Sequence, residues 1–225
     1  MCFYNAQNKR AFEIAKRYGR RTDIIEMARE IIEEKKVQKA FLHPDCLIIT
    51  KQELLQTAKW GLIPFWVTDV ERIESIRNMT INAKSETVFT LPSFRDSVRK
   101  RRCLLPSTGF YEYHHEEKNA IPYRIVLRDI EIFSLAGIYD EWQHPETKEA
   151  IRTFSVLTVP ANELCMFIHN GGRNPGRMPV IIPKSDEEKW LSPDLKEGEI
   201  KTLLNPYESS LMDACALEKD FLKRA

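Results

Sequence analysis

Charge of one sign, paired cysteines and long apolar runs are all missing from this 225-residue chain. Lys plus Arg is 34 against 33 for Asp plus Glu, a formal net charge of +1, so the molecule as a whole projects no long-range field toward a polyanion or an acidic membrane. Any nucleic-acid binding has to be local. The five cysteines, at 2, 46, 103, 165 and 215, are odd in number and far apart, which fits neither a disulfide framework nor a CxxC metal ribbon. Cys165 and His169 stand four apart, half of a zinc site, but no second pair at ligand spacing exists, so neither metal nor cofactor is expected. No apolar run approaches the ~20 residues of a membrane span, and the first residues are charged and lack an apolar leader core. The expected home is a reducing cytoplasm, with no membrane partner.

What is present is an ordinary globular composition, 43% hydrophobic and 30% charged, enough for a sizeable core and too mixed for disorder or a fibre. The length fits one domain, 1–225, with 192–225 as an appended segment. Helical spacing predicts helices over 9–18, where Phe12, Ala15 and Tyr18 share a face, and over 23–36, behind an Asp23/Glu26 capping box. From residue 46 the period changes. CLIIT, LQTAKWGL, RCLLP, GFYEYH, PYRIVLR, EIFSLAGIYDEW and RTFSVLTV are short β-branched and aromatic runs that read as strands. Brief helices are predicted between them at 70–77, 93–100, 161–168 and 185–191. No parallel strand–helix alternation recurs, so the fold class is α+β, a largely antiparallel sheet or pseudo-barrel flanked by short helices. Charge is uneven within the neutral total: 184–225 carries seven basic and ten acidic residues, whereas 95–102 holds five basic residues and one acid. That run reads either as a solvated helix face or as a phosphate-contacting patch.

Four positions carry the chemistry. Cys2 becomes N-terminal if Met1 is removed, and then bears both an α-amine and a thiol. Such an aminothiol condenses with an aldehyde to an imine that the sulfur closes into a thiazolidine; it can also act as an N-terminal nucleophile in hydrolysis. Strand alternation in GFYEYH sets Phe110, Glu112 and His114 on one face, and burial there would raise the Glu112 pKa and make it a proton donor near neutrality. His169 ends a short helix and leads into a Gly-rich loop, as an acid–base group or a helix cap. Asn82, in INAKSET, offers a neutral donor and acceptor for a phosphate or sugar, and Trp60, in WGLIPFW, offers a ring to stack on a base; taken singly, they read as a turn asparagine and a core tryptophan.

Taken together, MC at the start, WGLIPFW at 60–66, INAKSET at 81–87, PSFRDSVRKRRCLLPSTGFYEYH at 92–114, LAGIYDEW at 135–142, LTVPAN at 157–162, IH at 168–169 and RMPVIIP at 177–183 resemble the SOS response-associated peptidase (SRAP) family, whose members sense abasic sites in single-stranded DNA. The resemblance implies that Cys2, freed of Met1 by autoprocessing or by ordinary methionine removal, forms a thiazolidine crosslink with the ring-opened sugar. It further implies that Glu112 assists ring opening and imine formation, that Asn82 orients the sugar, and that His169 is an acid–base partner in ring opening and reversal. Phosphate contacts are expected from Lys84, Arg99, Arg101, Arg102, Arg173 and Arg177, with Trp60, Pro64 and Phe65 wedged against unstacked bases. The expected partner is single-stranded or junction DNA bearing an abasic site, bound by a monomer that joins the nucleoid at damage.

Three departures from the family pattern stand out. Phe3-Tyr4 follows the MC pair in place of Gly-Arg, removing one phosphate-binding arginine. Lys84 replaces an arginine, keeping charge but losing the bidentate fork. Residues 171–176 separate His169-Asn170 from Arg177 where the family has about one residue, with Arg173 as a compensating cation. Two rival readings remain: a thiol hydrolase acting on peptide or amide bonds without DNA, and a non-catalytic DNA-binding module.

Overall fold

The computed structural model describes residues 2–22, 37–117, 119–172 and 174–224. The helix expected over 23–36 lies outside them. Along the chain run β1 (Tyr4–Ala6), α1 (Ala11–Tyr18), β2 (Gln38–Lys39), β3 (Asp45–Ile48), β4 (Gln56–Trp60), α2 (Ile73–Met79), β5 (Asn82–Lys84), α3 (Arg95–Lys100), β6 (Arg102–Ser107), β7 (Gly109–Glu116), β8 (Asn119–Leu127), β9 (Phe133–Gln143), β10 (Ala150–Pro160), α4 (Glu163–Ile168), β11 (Arg177–Pro179), β12 (Ile181–Ile182), α5 (Glu187–Leu191), α6 (Glu197–Lys201), β13 (Met212–Ala216) and α7 (Phe221–Arg224).

The strands form two sheets, neither closed into a barrel. One has the order β13-β8-β7-β1-β2, the other β12-β9-β10-β4-β3, with β6 on β9 and both β5 and β11 on β10. Pairing is antiparallel throughout except where β10 meets β4 and β5. The fold class is therefore α+β, with antiparallel sheets flanked by short helices. A main core contains Trp60 and Trp190, and a smaller cluster holds Trp142 with Ile63 and Val67. All three tryptophans are fully buried, and each indole N–H finds a carbonyl: Ile81 at 3.0 Å, Val67 at 2.7 Å and Cys103 at 2.9 Å. Gly61, just after Trp60, has φ +100°, and a Cβ there would meet the His43 ring at 2.7 Å, so only glycine lets the chain turn out of β4.

Two expectations differ in detail from the structure. On α1 the buried face is Ala11, Ile14, Ala15 and Tyr18, while Phe12 is 55% exposed, because the 3.6-residue period carries position 12 off that face. The tail beyond 192 is woven into the fold: Ile200 and Met212 enter the main core, and β13 forms the edge of one sheet against β8.

The N-terminal strand matters most for the site. In β1, Tyr4 pairs with Tyr111 and Asn5 with Phe110 of β7. A buried ladder of amides ties this stretch to the second sheet. Gln7 donates to the carbonyls of Leu47 (2.9 Å) and Pro106 (3.1 Å) and accepts from the Leu47 N–H (2.8 Å), and Asn5 and Gln38 extend the ladder. Gln7 and Gln38 are paired at both ends of their amides, so burying them costs little. The start of the chain is thus threaded between the sheets, and the antiparallel register carries Cys2 toward the part of β7 that holds Glu112.

Candidate active site

Cys2, Asn82, Glu112 and His169 come from four separate segments and meet in one buried pocket. Cys2 is fully buried, and its thiol is pushed well above the usual range, first by burial and then by the neighbouring Glu112 carboxyl. Asn82, at the head of β5, donates from Nδ2 to the Cys2 carbonyl at 3.0 Å and so fixes the backbone of the second residue. Glu112 sits mid-strand on the inward face of β7 with Phe110 and His114, while Tyr111 packs in a separate small cluster on the other side. Burial raises the Glu112 carboxyl to about 7. His169 caps the C-terminal end of α4, its N–H donating to the Cys165 carbonyl at 2.8 Å, and Asn162 caps the other end by accepting from the Cys165 N–H at 2.9 Å.

Burial acts on the imidazole in the opposite direction and lowers His169 to about 4. The His169 Nε2 to Glu112 Oε2 distance is 4.0 Å, longer than a direct hydrogen bond. With a carboxyl near 7 and an imidazole near 4, the two are not an ion pair at neutral pH. They are a neutral base and an acid that is half protonated, facing a common space. The Cys165 thiol of α4 lines the same pocket and is pushed up to about 12 by burial.

Four side chains missed as functional candidates shape this arrangement. His114 Nδ1 lies 2.8 Å from the Phe167 carbonyl and its ring stacks on Phe167 at 4.6 Å, docking α4 against β7. Glu86 forms a bidentate pair with Arg177, which holds the Glu86 carboxyl at about 2. Asn170 bonds both backbone groups of His115. Phe3 packs on Phe41 with ring centroids 5.0 Å apart and the planes tilted by 37°, where the family pattern has glycine. Beside Asn82 opens a cavity of about 390 Å³ lined by Phe3, Phe41, Met79, Asn82, Lys84 and Asn174 among others.

The residues expected to hold DNA are placed differently. Lys84 is partly buried at the rim of that cavity, bonded to Asn174 at 3.1 Å. Trp60 is wholly buried and stacks on Phe154, so its ring offers no face to a base. Pro64 is buried; Phe65 is 54% exposed, with the Arg101 guanidinium over its ring. Arg99 pairs with Glu197 at 2.8 Å and Arg101 with Asp140 at 3.2 Å. Arg102 is 4% exposed and gives its guanidinium to the carbonyls of Val98, Arg99, Trp190 and Ser192, where a phosphate has no approach. Arg177 is buried against Glu86 and the Thr158 carbonyl at 2.7 Å. Arg173 lies outside the described residues.

A buried second-position cysteine, a desolvated carboxyl on a central strand and a helix-end imidazole come together in a small α+β protein of two sheets. The family model for SOS response associated peptidase (SRAP) matches residues 1–223, and the chain belongs to that family. It is 37% identical over 158 residues to abasic site processing protein YoqW of Bacillus subtilis, covering 69% of this chain and 66% of that one. It is 27% identical over 181 residues to abasic site processing protein HMCES of Gallus gallus, covering 71% of this chain and 52% of the relative. The matched part thus spans from about half to about two thirds of these relatives. Among solved structures, a Bacteroides thetaiotaomicron protein is 44% identical with a TM-score of 0.95, covering 100% of this chain and 95% of the other. A Bordetella bronchiseptica protein at 23% identity, with a TM-score of 0.81 over 97% of this chain and 100% of the other, shares the fold.

Proposed function

We propose that this protein senses abasic sites in single-stranded DNA and captures them through Cys2, after removal of Met1, as a thiazolidine crosslink. The observation that carries the reading is the state of the pocket at neutral pH: a protonated thiol beside a carboxyl near 7 and a neutral imidazole. A thiol hydrolase needs a thiolate at the outset, and burial beside Glu112 disfavours one. Condensation with an aldehyde starts instead from the amine and needs an acid poised to give and retrieve a proton.

The steps balance on these residues. Neutral His169 accepts the C1′ hydroxyl proton as the sugar ring opens, Glu112 gives its proton to the ring oxygen, and the proton on His169 then returns to the Glu112 carboxylate, restoring both groups. The Cys2 amine adds to the aldehyde carbon, and the protonated Glu112 carboxyl delivers a proton to the departing hydroxyl, releasing water and leaving an iminium. The Cys2 sulfur then adds to the same carbon while its proton passes to the Glu112 carboxylate, closing the five-membered ring. Net, an aldehyde and an aminothiol give a thiazolidine and water. Asn82, bound to the Cys2 carbonyl, holds the nucleophile's backbone still. The cavity beside it, aromatic on one side with Lys84 on its rim, suits an unstacked base and a phosphate of a single strand.

The test is incubation of mature protein, its Met1 removal verified by intact mass, with single-stranded DNA carrying one abasic site. A slow, heat-resistant band on a denaturing gel is expected, and Cys2→Ala should abolish it. Equal yield from Cys2→Ala, or DNA-independent peptide cleavage without a crosslink, would overturn the reading.

A further inference from the structure

We propose that Asn170 is a positioning residue for His169: its carboxamide docks the chain beyond α4 onto β7 and holds the imidazole in line with Glu112 on that same strand. The inference rests on the crosslinking role given above. Asn170 follows His169 directly, and its Oδ1 accepts from the His115 N–H at 2.8 Å while its Nδ2 donates to the His115 carbonyl at 3.0 Å. One planar amide thereby reproduces the two bonds that a neighbouring strand would make to a residue of an antiparallel pair. Both the distance and the angle of approach are fixed at once.

His115 and Glu112 share one stretch of β7, so the docking point and the reactive carboxyl move as a unit. The next residue is built for the same approach. A Cβ on Gly171 would lie 2.7 Å from His115 Cγ, so any other residue would push the chain off the strand. Farther on, Asn174 accepts from Lys84 Nζ at 3.1 Å, and the Gly176 N–H donates back to the His169 carbonyl at 2.7 Å. Asn170 and Asn174 are therefore tethered to β7 and β5, the strands that hold Glu112 and Asn82, and Gly176 closes on His169 itself. Arg177 completes the hold, its carbonyl lying 3.0 Å from His169 Nδ1. A chain lengthened at a helix end gains freedom that would blur the imidazole's position, and a two-bond clamp on the residue just before the added ones removes it where it matters.

The measurement is the single-turnover crosslinking rate of full-length protein at saturating abasic-site DNA. Asn170→Ala is expected to slow it on the order of tenfold with half-saturation unchanged within twofold, because a displaced acid–base group costs rate rather than binding. In a His169→Ala background the same substitution should add nothing, since a residue acting only through His169 has no effect once the imidazole is gone. Asn170→Asp keeps the acceptor for the His115 N–H and loses the donor; it should fall between. If Asn170→Ala does not fold, Asn170→Asp and Gly171→Ala carry the same cycle. A second readout needs no DNA: titration of the His169 ring by NMR.

Burial, and after it the positive chain start, keeps that ring near 4; the other groups acting on it are Glu112 and His115 on β7 and Arg177, whose guanidinium is already paired with Glu86, while the Cys2 and Cys165 thiols neighbour Glu112. Release from β7 should move the titration up toward 6.5. An equal slowing in the His169→Ala background, or an unchanged rate together with an unchanged titration, would overturn the proposal. Should wild-type protein form no crosslink at all, the functional reading fails, and the titration still decides the role of Asn170.

Discussion

The basic run at 95–102 and the pocket around Cys2 invert what their compositions suggest. The run holds five cations in eight residues; in the fold Arg95 and Lys100 are exposed, while Arg99, Arg101 and Arg102 give their guanidiniums to the protein. Arg102 bonds the last carbonyls of α3 and two carbonyls near α5, Arg101 pairs with buried Asp140, and Arg99 with Glu197. Among the side chains of Cys2, Asn82, Glu112 and His169 the pocket carries at neutral pH only the partial charge of a half-ionised Glu112, and there the chemistry gathers. Charge in a sequence measures potential; where the orphan carbonyls of a helix end fall determines how much of it reaches solvent.

The largest expected effect belongs to the pocket. Glu112→Gln should slow the crosslinking step on the order of 100-fold at saturating DNA while leaving half-saturation within twofold, because it removes the proton donor and little else. The wild-type rate should also fall as pH rises through about 7, where the carboxyl ionises, and the Gln variant should lack that limb. A limb that survives in Glu112→Gln would move the donor's role elsewhere. In the run, the matching experiment reads stability. Arg102→Ala should cost about 2–4 kcal/mol in denaturant unfolding, since it strips a donor from four carbonyls, with DNA affinity of the folded fraction unchanged. A tenfold loss of affinity at unchanged stability would return Arg102 to the DNA.

Glu112 also makes a stability prediction whose sign runs against the usual carboxylate. Its folded pKa lies above the unfolded value, so the folded state holds the proton more tightly, and burial becomes costly as pH rises from about 4.5 to about 7. Glu112→Gln, neutral at every pH, should therefore be more stable than wild type by roughly 1–3 kcal/mol at pH 8, and the gap should close by pH 4. Equal stability at both pH values would mean that the ionised carboxylate has found compensation in the fold.

How far the sequence reached follows from the range of its signals. β3, β4 and β6 to β10 were legible because four or more alternating or β-branched residues between turn formers leave a local period. β1, β2, β5, β11 and β12 are two or three residues long, and they exist because of partners far away in the chain, as Tyr4 does through Tyr111. Cys2, Asn82, Glu112 and His169 were readable as reactive types, and the alternation of GFYEYH turned Glu112 inward beside Phe110 and His114. Trp60 taken singly reads as a core tryptophan, as the structure has it, whereas nothing local showed that Arg102 points at the backbone. Asn170 escaped for the same reason, its partner His115 standing 55 residues earlier.

The smallest effect tests Arg99, the half-buried cation of the run that was expected to meet a phosphate. Arg99 is 40% exposed, yet it donates to the Arg95 carbonyl at 2.7 Å, to the Phe89 carbonyl at 3.2 Å and to Glu197 at 2.8 Å. To touch a phosphate it would have to leave Glu197, and an exposed pair of this kind contributes only about 0–1 kcal/mol. Glu197→Gln therefore frees Arg99 at little cost in stability. If the run stays out of DNA binding, affinity for single-stranded DNA and its dependence on salt should be unchanged in Glu197→Gln and in Arg99→Ala alike. If the run is a phosphate track held in check by α6, Glu197→Gln should tighten binding and steepen the salt slope by about 0.7, the value for one further phosphate contact on a single strand. A flat response in both variants assigns Arg99 to the same structural role as Arg102, differing only in how much water surrounds it.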